Sequence, residues 1–170
     1  MISDAFSCFA VLCGELAPEL AEKYRVLHEA MNEAVNRNFF DEEQGTYRTR
    51  IGDPKGRRHA LTQAWALFSG AVPKEQKLTV LENMIQKEMI SCSLCNYIYL
   101  FEELLKYGEK YRGYVRGEIE RIWGNMLLSG ATSFWETERG ASDFGNAGSL
   151  CHGWSATPVY IYRKYKLLEY

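Results

Sequence analysis

Pro18-Glu-Leu-Ala-Glu-Lys-Tyr-Arg-Val-Leu-His-Glu-Ala-Met-Asn-Glu-Ala-Val-Asn-Arg-Asn38 decides the fold class. Leu20, Tyr24, Leu27, Met31, Ala34 and Val35 recur at helical spacing, while Glu22, Lys23, Arg25, Glu29 and Glu33 lie mostly off that stripe. A period near 3.6 predicts an amphipathic helix that buries one face. Pro18 suits a first helical position, where its missing N–H costs nothing, and the pattern ends near Arg37 or Asn38.

The same period continues on both sides. Asp4 can cap a shorter helix through about Gly14. Leu61, Ala64, Trp65 and Phe68 share a face between about Arg58 and Ser69, and Gly70 can supply a left-handed stop. Pro73 restarts the chain, with Leu78, Leu81, Met84 and Ile85 as the next stripe. Leu94, Tyr97, Phe101, Leu104 and Leu105 mark a helix from about Ser93 to Tyr107, closed by Gly108. Tyr111, Val115, Ile119, Ile122 and Trp123 mark another from about Glu109 to Met126. A last helix is expected from His152 or Trp154 to Leu168, with Pro158 in or near its first turns.

Two stretches break the pattern. Phe39 to Gly56 reads as two turns around a short extended piece, Thr46 to Ile51, and Leu127 to Leu150 is rich in glycine and small polar residues. Long structured loops of this kind are often functional. The expectation is an all-α chain of about seven helices, packed as antiparallel hairpins in a single domain over residues 1–170.

Composition narrows the function. The chain has 170 residues, 46% apolar and 25% charged, with 20 Lys+Arg against 22 Asp+Glu. That balance argues against a nucleic-acid or anionic-membrane surface. No run of about 18 apolar residues exists to span a membrane, and the start has no basic region of a signal peptide. Cys92 and Cys95 form one CxxC without a second pair, and His28, His59 and His152 show no metal-ligand spacing, so neither metal nor cofactor is expected. Five cysteines, an odd number, do not read as a disulfide framework and suggest the cytoplasm.

Candidate chemistry lies in Gly130-Ala-Thr-Ser-Phe-Trp-Glu136 and Leu150-Cys-His-Gly-Trp-Ser-Ala156. Glycosidases set a carboxyl group among bulky apolar neighbours to tune its proton affinity, and Glu136 directly follows Phe134 and Trp135. His152 and Trp154 stand at the start of a helix, where free amides and side chains can face a ligand. Glu136, His152 and an aromatic wall together would make a sugar subsite. Glu136 as a solvated loop carboxylate and His152 as a packed or capping residue are the plainer alternatives. Ser155 near His152 lacks a nucleophile elbow, and Gly145-Asn-Ala-Gly-Ser149 lacks the lysine of a phosphate loop.

The two segments, the second extended through Thr-Pro-Val-Tyr160, resemble the C-terminal motifs of bacterial α-L-rhamnosidases of glycoside hydrolase family 78, within the six-hairpin glycosidases. Thr62-Gln-Ala-Trp-Ala-Leu-Phe-Ser-Gly-Ala-Val-Pro73 and Asn96-Tyr-Ile-Tyr-Leu-Phe-Glu102 look like inner-helix segments of the same domain. The resemblance covers roughly Phe39 to Leu168 and implies part of an (α/α)6 barrel around a sugar pocket. It implies hydrolysis of terminal α-L-rhamnose with inversion, and a rhamnose-containing carbohydrate as ligand. Inversion takes an acid and a base about 6.5–9.5 Å apart. By motif position Glu136 matches the general base and His152 a sugar-contacting histidine, with Trp135 and Trp154 lining the pocket. The family's Asp-x-x-x-Arg-Asp-Glu-Arg type segment, which carries the general acid, has no counterpart here. The chain thus reads as the C-terminal half of a catalytic domain, without the N-terminal half or the accessory β-domains, and is expected to be inactive alone. A non-catalytic carbohydrate-binding or helical interaction protein is the alternative. Half a barrel leaves apolar flanks near Leu20–Val35 and Val159–Leu168, so a homodimer or a complex with a separately encoded N-terminal half is expected.

Overall fold

The computed structural model describes residues 1–167; Leu168, the expected end of the last helix, lies outside them. The fold is all-α, with seven α-helices and one two-stranded ladder among the described residues. The chain divides into two compact units, one comprising Met1–Ile90 and the other beginning at Ser91.

In the first unit, α1 (Ile2–Cys13) and α2 (Pro18–Phe39) pack side by side as a hairpin. Helix α1 starts two residues before the expected cap, so Asp4 lies in its first turn, where a carboxylate favours the helix dipole. Ser3 is buried between the two helices, with its hydroxyl 2.6 Å from Asn32 Oδ1 and 2.9 Å from His28 Nδ1. Strands β1 (Phe40–Asp41) and β2 (Thr46–Tyr47) form a two-residue antiparallel ladder, shorter than the extended piece expected.

Helix α3 (Ala60–Phe68) buries Ala60, Gln63, Ala64 and Leu67, while Phe68 is 41% exposed. The buried face is therefore rotated from the purely apolar stripe, because Gln63 is needed inside. Its Oε1 accepts the Tyr47 N–H at 2.7 Å and its Nε2 donates to the Tyr47 carbonyl at 2.8 Å. Tyr47 pairs with Phe40 on one side only, and Gln63 satisfies the backbone N–H and C=O that it turns away from that ladder. After a single 3-10 turn, α4 (Lys77–Gln86) adds Val80, Leu81 and Met84 to this core.

In the second unit, α5 (Tyr97–Leu105) and α6 (Glu109–Leu128) bury the stripes expected of them: Tyr97, Phe101, Leu104 and Leu105, and Tyr111, Val115, Ile119, Ile122 and Trp123. Rings of Tyr97, Phe101 and Trp123 pack together at centroid distances of 5.1–6.4 Å. Helix α7 (Thr157–Tyr165) starts later than His152 or Trp154, because residues 153–155 form a separate 3-10 turn and Pro158 sits in the first turn of α7. Glu102 ties α5 to α7 by accepting from Lys164 Nζ and the Tyr165 hydroxyl, at 2.9 and 2.7 Å.

Candidate functional site

Glycine ends α6 and begins the candidate loop. Gly130 has φ 85°, and Ala131 N–H reaches back to Met126 O at 3.0 Å, so the helix closes in a left-handed turn that favours a residue without Cβ. The chain then loses periodicity and folds back on itself. Glu136 N–H donates to Ser149 O at 2.9 Å, and His152 N–H donates to Phe134 O at 2.7 Å. Ser149 N–H donates to Glu136 Oε2 at 3.2 Å. Ser133 Oγ donates to Leu150 O. These bonds bring the two sequence motifs alongside each other although Glu136 and His152 are 16 positions apart.

The turn between them is tight. Gly140 (φ 54°) lies against the face of the half-buried Trp135 ring, and Gly148 abuts the Gly140 carbonyl. A Cβ at either position would meet its neighbour at 2.6 Å or less. Phe144 and Asn146 adopt left-handed conformations, at φ 50° and 72°. Such geometry in a bulky residue persists only where the surrounding chain enforces it, and it clusters at functional loops.

The four expected site residues differ in surroundings. Glu136 is half-buried; its Oε2 is held by Ser149, and its Oε1 makes no hydrogen bond among the described residues. His152 is half-buried, and its ring stands nearly perpendicular to that of Trp154 at 5.8 Å. Trp154 is 76% exposed. A cavity of about 480 Å³ in this unit is lined by Trp123, Leu127, Phe134, Pro158, Val159 and Tyr162 among others, and none of the four is in its wall. Two other loop carboxylates are already engaged: Glu138 with Arg121 at 3.3 Å, and Asp143 with Arg139 at 3.8 Å.

Two residues that sequence reasoning gave no positioning role hold the loop. Ser155 is buried, with its hydroxyl in reach of the Trp135 and His152 carbonyls, which is the work of a loop clasp rather than a nucleophile. Trp123, expected only as core, donates its indole N–H to Ser155 O at 2.8 Å and so docks the 153–155 turn onto α6. Among the described residues, no group of three or more His, Cys, Asp or Glu side chains is placed to hold a metal ion. No helix among them is long and apolar enough to cross a membrane.

The sequence matches the family described as bacterial alpha-L-rhamnosidase 6 hairpin glycosidase domain over residues 4–165. A rhamnosidase from Klebsiella oxytoca with rhamnose bound is similar in structure, at TM-score 0.81 and 22% identity, covering 97% of this chain and 33% of its own. The GH78 family rhamnosidase of Bacillus sp. GL1 gives TM-score 0.80 and 23% identity, covering 95% of this chain and 18% of its own. The chain therefore spans a third or less of the length of these relatives. No curated protein matches the sequence.

Proposed function

Because the chain belongs to the bacterial α-L-rhamnosidase six-hairpin glycosidase domain family, we propose that it supplies part of a glycoside hydrolase site for terminal α-L-rhamnose. Glu136 is the general base in this reading. Its free Oε1 accepts a proton from the attacking water, while Ser149 N–H fixes Oε2. His152 and Trp154 contact the sugar, the exposed indole offering an apolar face to the ring carbons. Trp135 acts as the wall behind the base. The observation that supports this most directly is the backbone fold-back joining residues 134–136 to 149–152.

An inverting reaction also needs an acid to protonate the leaving oxygen. Glu138 and Asp143, the nearest carboxylates in the loop sequence, are both bound to arginines. The isolated chain is therefore proposed to be inactive and to bind rhamnose only weakly. Its five thiols, all unbridged, suit the reducing cytoplasm.

The missing acid would come with further hairpins of the same domain type, and exposed apolar side chains favour that reading. Val11, Leu12, Leu16 and Val26 on or beside α1 and α2 are 53–93% exposed, and Leu127, Leu128 and Val159 at the ends of α6 and α7 are 58–89% exposed. We propose that these faces associate with a separately encoded N-terminal half or with a second copy of the chain. The functional test is titration of the labelled chain with rhamnose, followed through its amide resonances. The expected result is saturable shifts at residues 133–136 and 149–155, weakened in Glu136→Gln, with no hydrolysis of an aryl α-L-rhamnoside. Shifts of the same size with glucose would overturn the sugar assignment. Hydrolysis that Glu136→Gln abolishes would mean that an acid within this chain completes the reaction.

A further inference from the structure

A second concave site lies in the first unit, in the loop that leads from β2 into α3. It encloses about 300 Å³ and is lined by Asp41, Arg48, Arg50, Asp53, Arg57 and Arg58, with Gly52 and Gly56 at its turns. Four guanidinium groups against two carboxylates leave an excess of two positive charges, in a chain whose formal net charge is -2. We propose that this pocket binds an oxyanion, either the carboxylate of an acidic sugar or a free sulfate or phosphate.

The hydrogen-bond inventory carries the inference. Asp41 Oδ2 already accepts three N–H groups, two from Arg48 at 3.1–3.2 Å and one from Arg58 at 2.5 Å, and its Oδ1 accepts Gln44 N–H at 3.2 Å. Asp53 accepts from the Lys55 and Arg57 amides and from Arg57 Nε and Nη2, at 2.8–3.3 Å. Both carboxylates are therefore saturated as acceptors. The guanidinium groups are not saturated as donors. Each carries five N–H bonds. Arg48 donates only through Nε and Nη2 and Arg57 only through Nε and Nη2, while Arg50 makes no hydrogen bond or ion pair among the described residues. What the pocket still offers is donors and positive charge.

The forks are also held in place before any ligand arrives. Arg58 is fixed at three points, by Thr46 Oγ1 at 2.8 Å, the Gly56 carbonyl at 2.6 Å and Asp41. Arg57 is held by Asp53 through two N–H bonds. Planar forks held this way lose little further entropy on binding and match carboxylate, sulfate or phosphate oxygens in pairs. The volume accommodates one charged monosaccharide or a small anion. This inference does not depend on the role of Glu136, which is read by different resonances.

The test is titration of the labelled full chain at low ionic strength with galacturonate, galactose, sulfate and phosphate in separate arms. Galacturonate or the inorganic anions should shift the amides of residues 48–58 saturably, and added salt should weaken the effect. Galactose should not. Arg50→Ala should leave the unfolding midpoint unchanged and weaken binding about ten-fold, as expected for loss of a charge-assisted fork. Arg50→Lys, which keeps the charge without the fork, should fall between. Tighter binding of galacturonate than of sulfate or phosphate assigns the site to an acidic carbohydrate; the reverse assigns it to a free tetrahedral anion. Absence of saturable shifts up to about 50 mM, far weaker than specific recognition requires, would overturn the proposal, as would equal binding by Arg50→Ala.

Discussion

Gly148→Ala is the sharpest probe of the fold-back that brings Glu136 and His152 together. A Cβ at position 148 would stand 2.0 Å from the Gly140 carbonyl oxygen and 2.9 Å from its carbon. Carbon–oxygen contacts ordinarily begin near about 3.3 Å, so the two backbone segments must part by more than about 1 Å. The obstacle is main chain and cannot swing aside as a long side chain would. Overpacking of this kind costs about 1–3 kcal/mol. The adjacent residue, Ser149, makes two bonds to Glu136, one through each backbone group, and losing both adds about 1 kcal/mol each. A total of about 3–5 kcal/mol follows. With a urea slope of about 2 kcal/mol per molar, the midpoint should fall by about 1.5–2.5 M. Amide exchange at Glu136 and His152 should accelerate in parallel, because these protons are the ones bonded across the fold-back. Gly153→Ala is the control: its φ is not left-handed and nothing lies within 4 Å of its Cβ position, so its midpoint should stay or rise slightly. Equal midpoints for the two variants would refute the reasoning, since residue 148 could not then be packed against the Gly140 carbonyl in the native chain.

Gln63→Leu should lower stability by about 2–4 kcal/mol in urea unfolding, because it strands both the N–H and the C=O of the buried Tyr47. Trp123→Phe should cost about 1–3 kcal/mol, since Ser155 O loses its donor and the smaller ring leaves space, and it should broaden the resonances of residues 153–155. The Asp53 carboxyl is held down to about 2, first by the Arg57 side chain and then by the Lys55 amide, against an ordinary value of 3.8. A carboxylate depressed on folding adds stability above its unfolded value and loses it as pH falls through the folded one. Its carboxyl carbon resonance should therefore titrate near pH 2, and in Arg57→Gln the midpoint should move up toward 3.8.

Where periodicity and burial coincide, the sequence was a sufficient guide. The stripes of α5 and α6 are buried residue for residue, because each helix presents an apolar face to the core of its own unit, Glu103 of α5 being the one charged side chain buried beside them. Helix α3 departs from that rule at Gln63, a polar residue drawn inside by the unpaired backbone of Tyr47, and hydrophobic spacing carries no sign of such a demand. Helix α2 departs in the other direction. Its stripe is as regular as any, yet Ala21 is its only buried residue, and Leu20 and Leu27 stay 45% and 39% exposed. A period records which residues share a face, whereas burial depends on what that face meets. An apolar face left open within one chain is what the proposed association with further hairpins would cover.

The two sites differ in legibility for a related reason. Glu136, His152, Trp135 and Trp154 stand in two short motifs whose residue types resemble those of a sugar-binding loop, which is what made them candidates in the sequence. Their placement was not, since it rests on backbone bonds between irregular segments and on Gly148 fitting against Gly140, neither of which has a repeat. The arginine pocket reverses the problem. Arg48, Arg50, Arg57 and Arg58 are spread over eleven positions broken by two turns, and nothing in their spacing marks them as a set. Only the left-handed turns at Gly52 and Gly56 fold that stretch into a concave wall, and only the hydrogen-bond inventory separates donors already used from donors still free. Burial pushes the Asp41 carboxyl up, but the Gln44 amide and the Arg48 and Arg58 guanidinium groups outweigh it and hold it below the ordinary value. Asp41 therefore stays charged at neutral pH and anchors Arg48 and Arg58, so the pocket keeps its donors aimed with two positive charges left in excess.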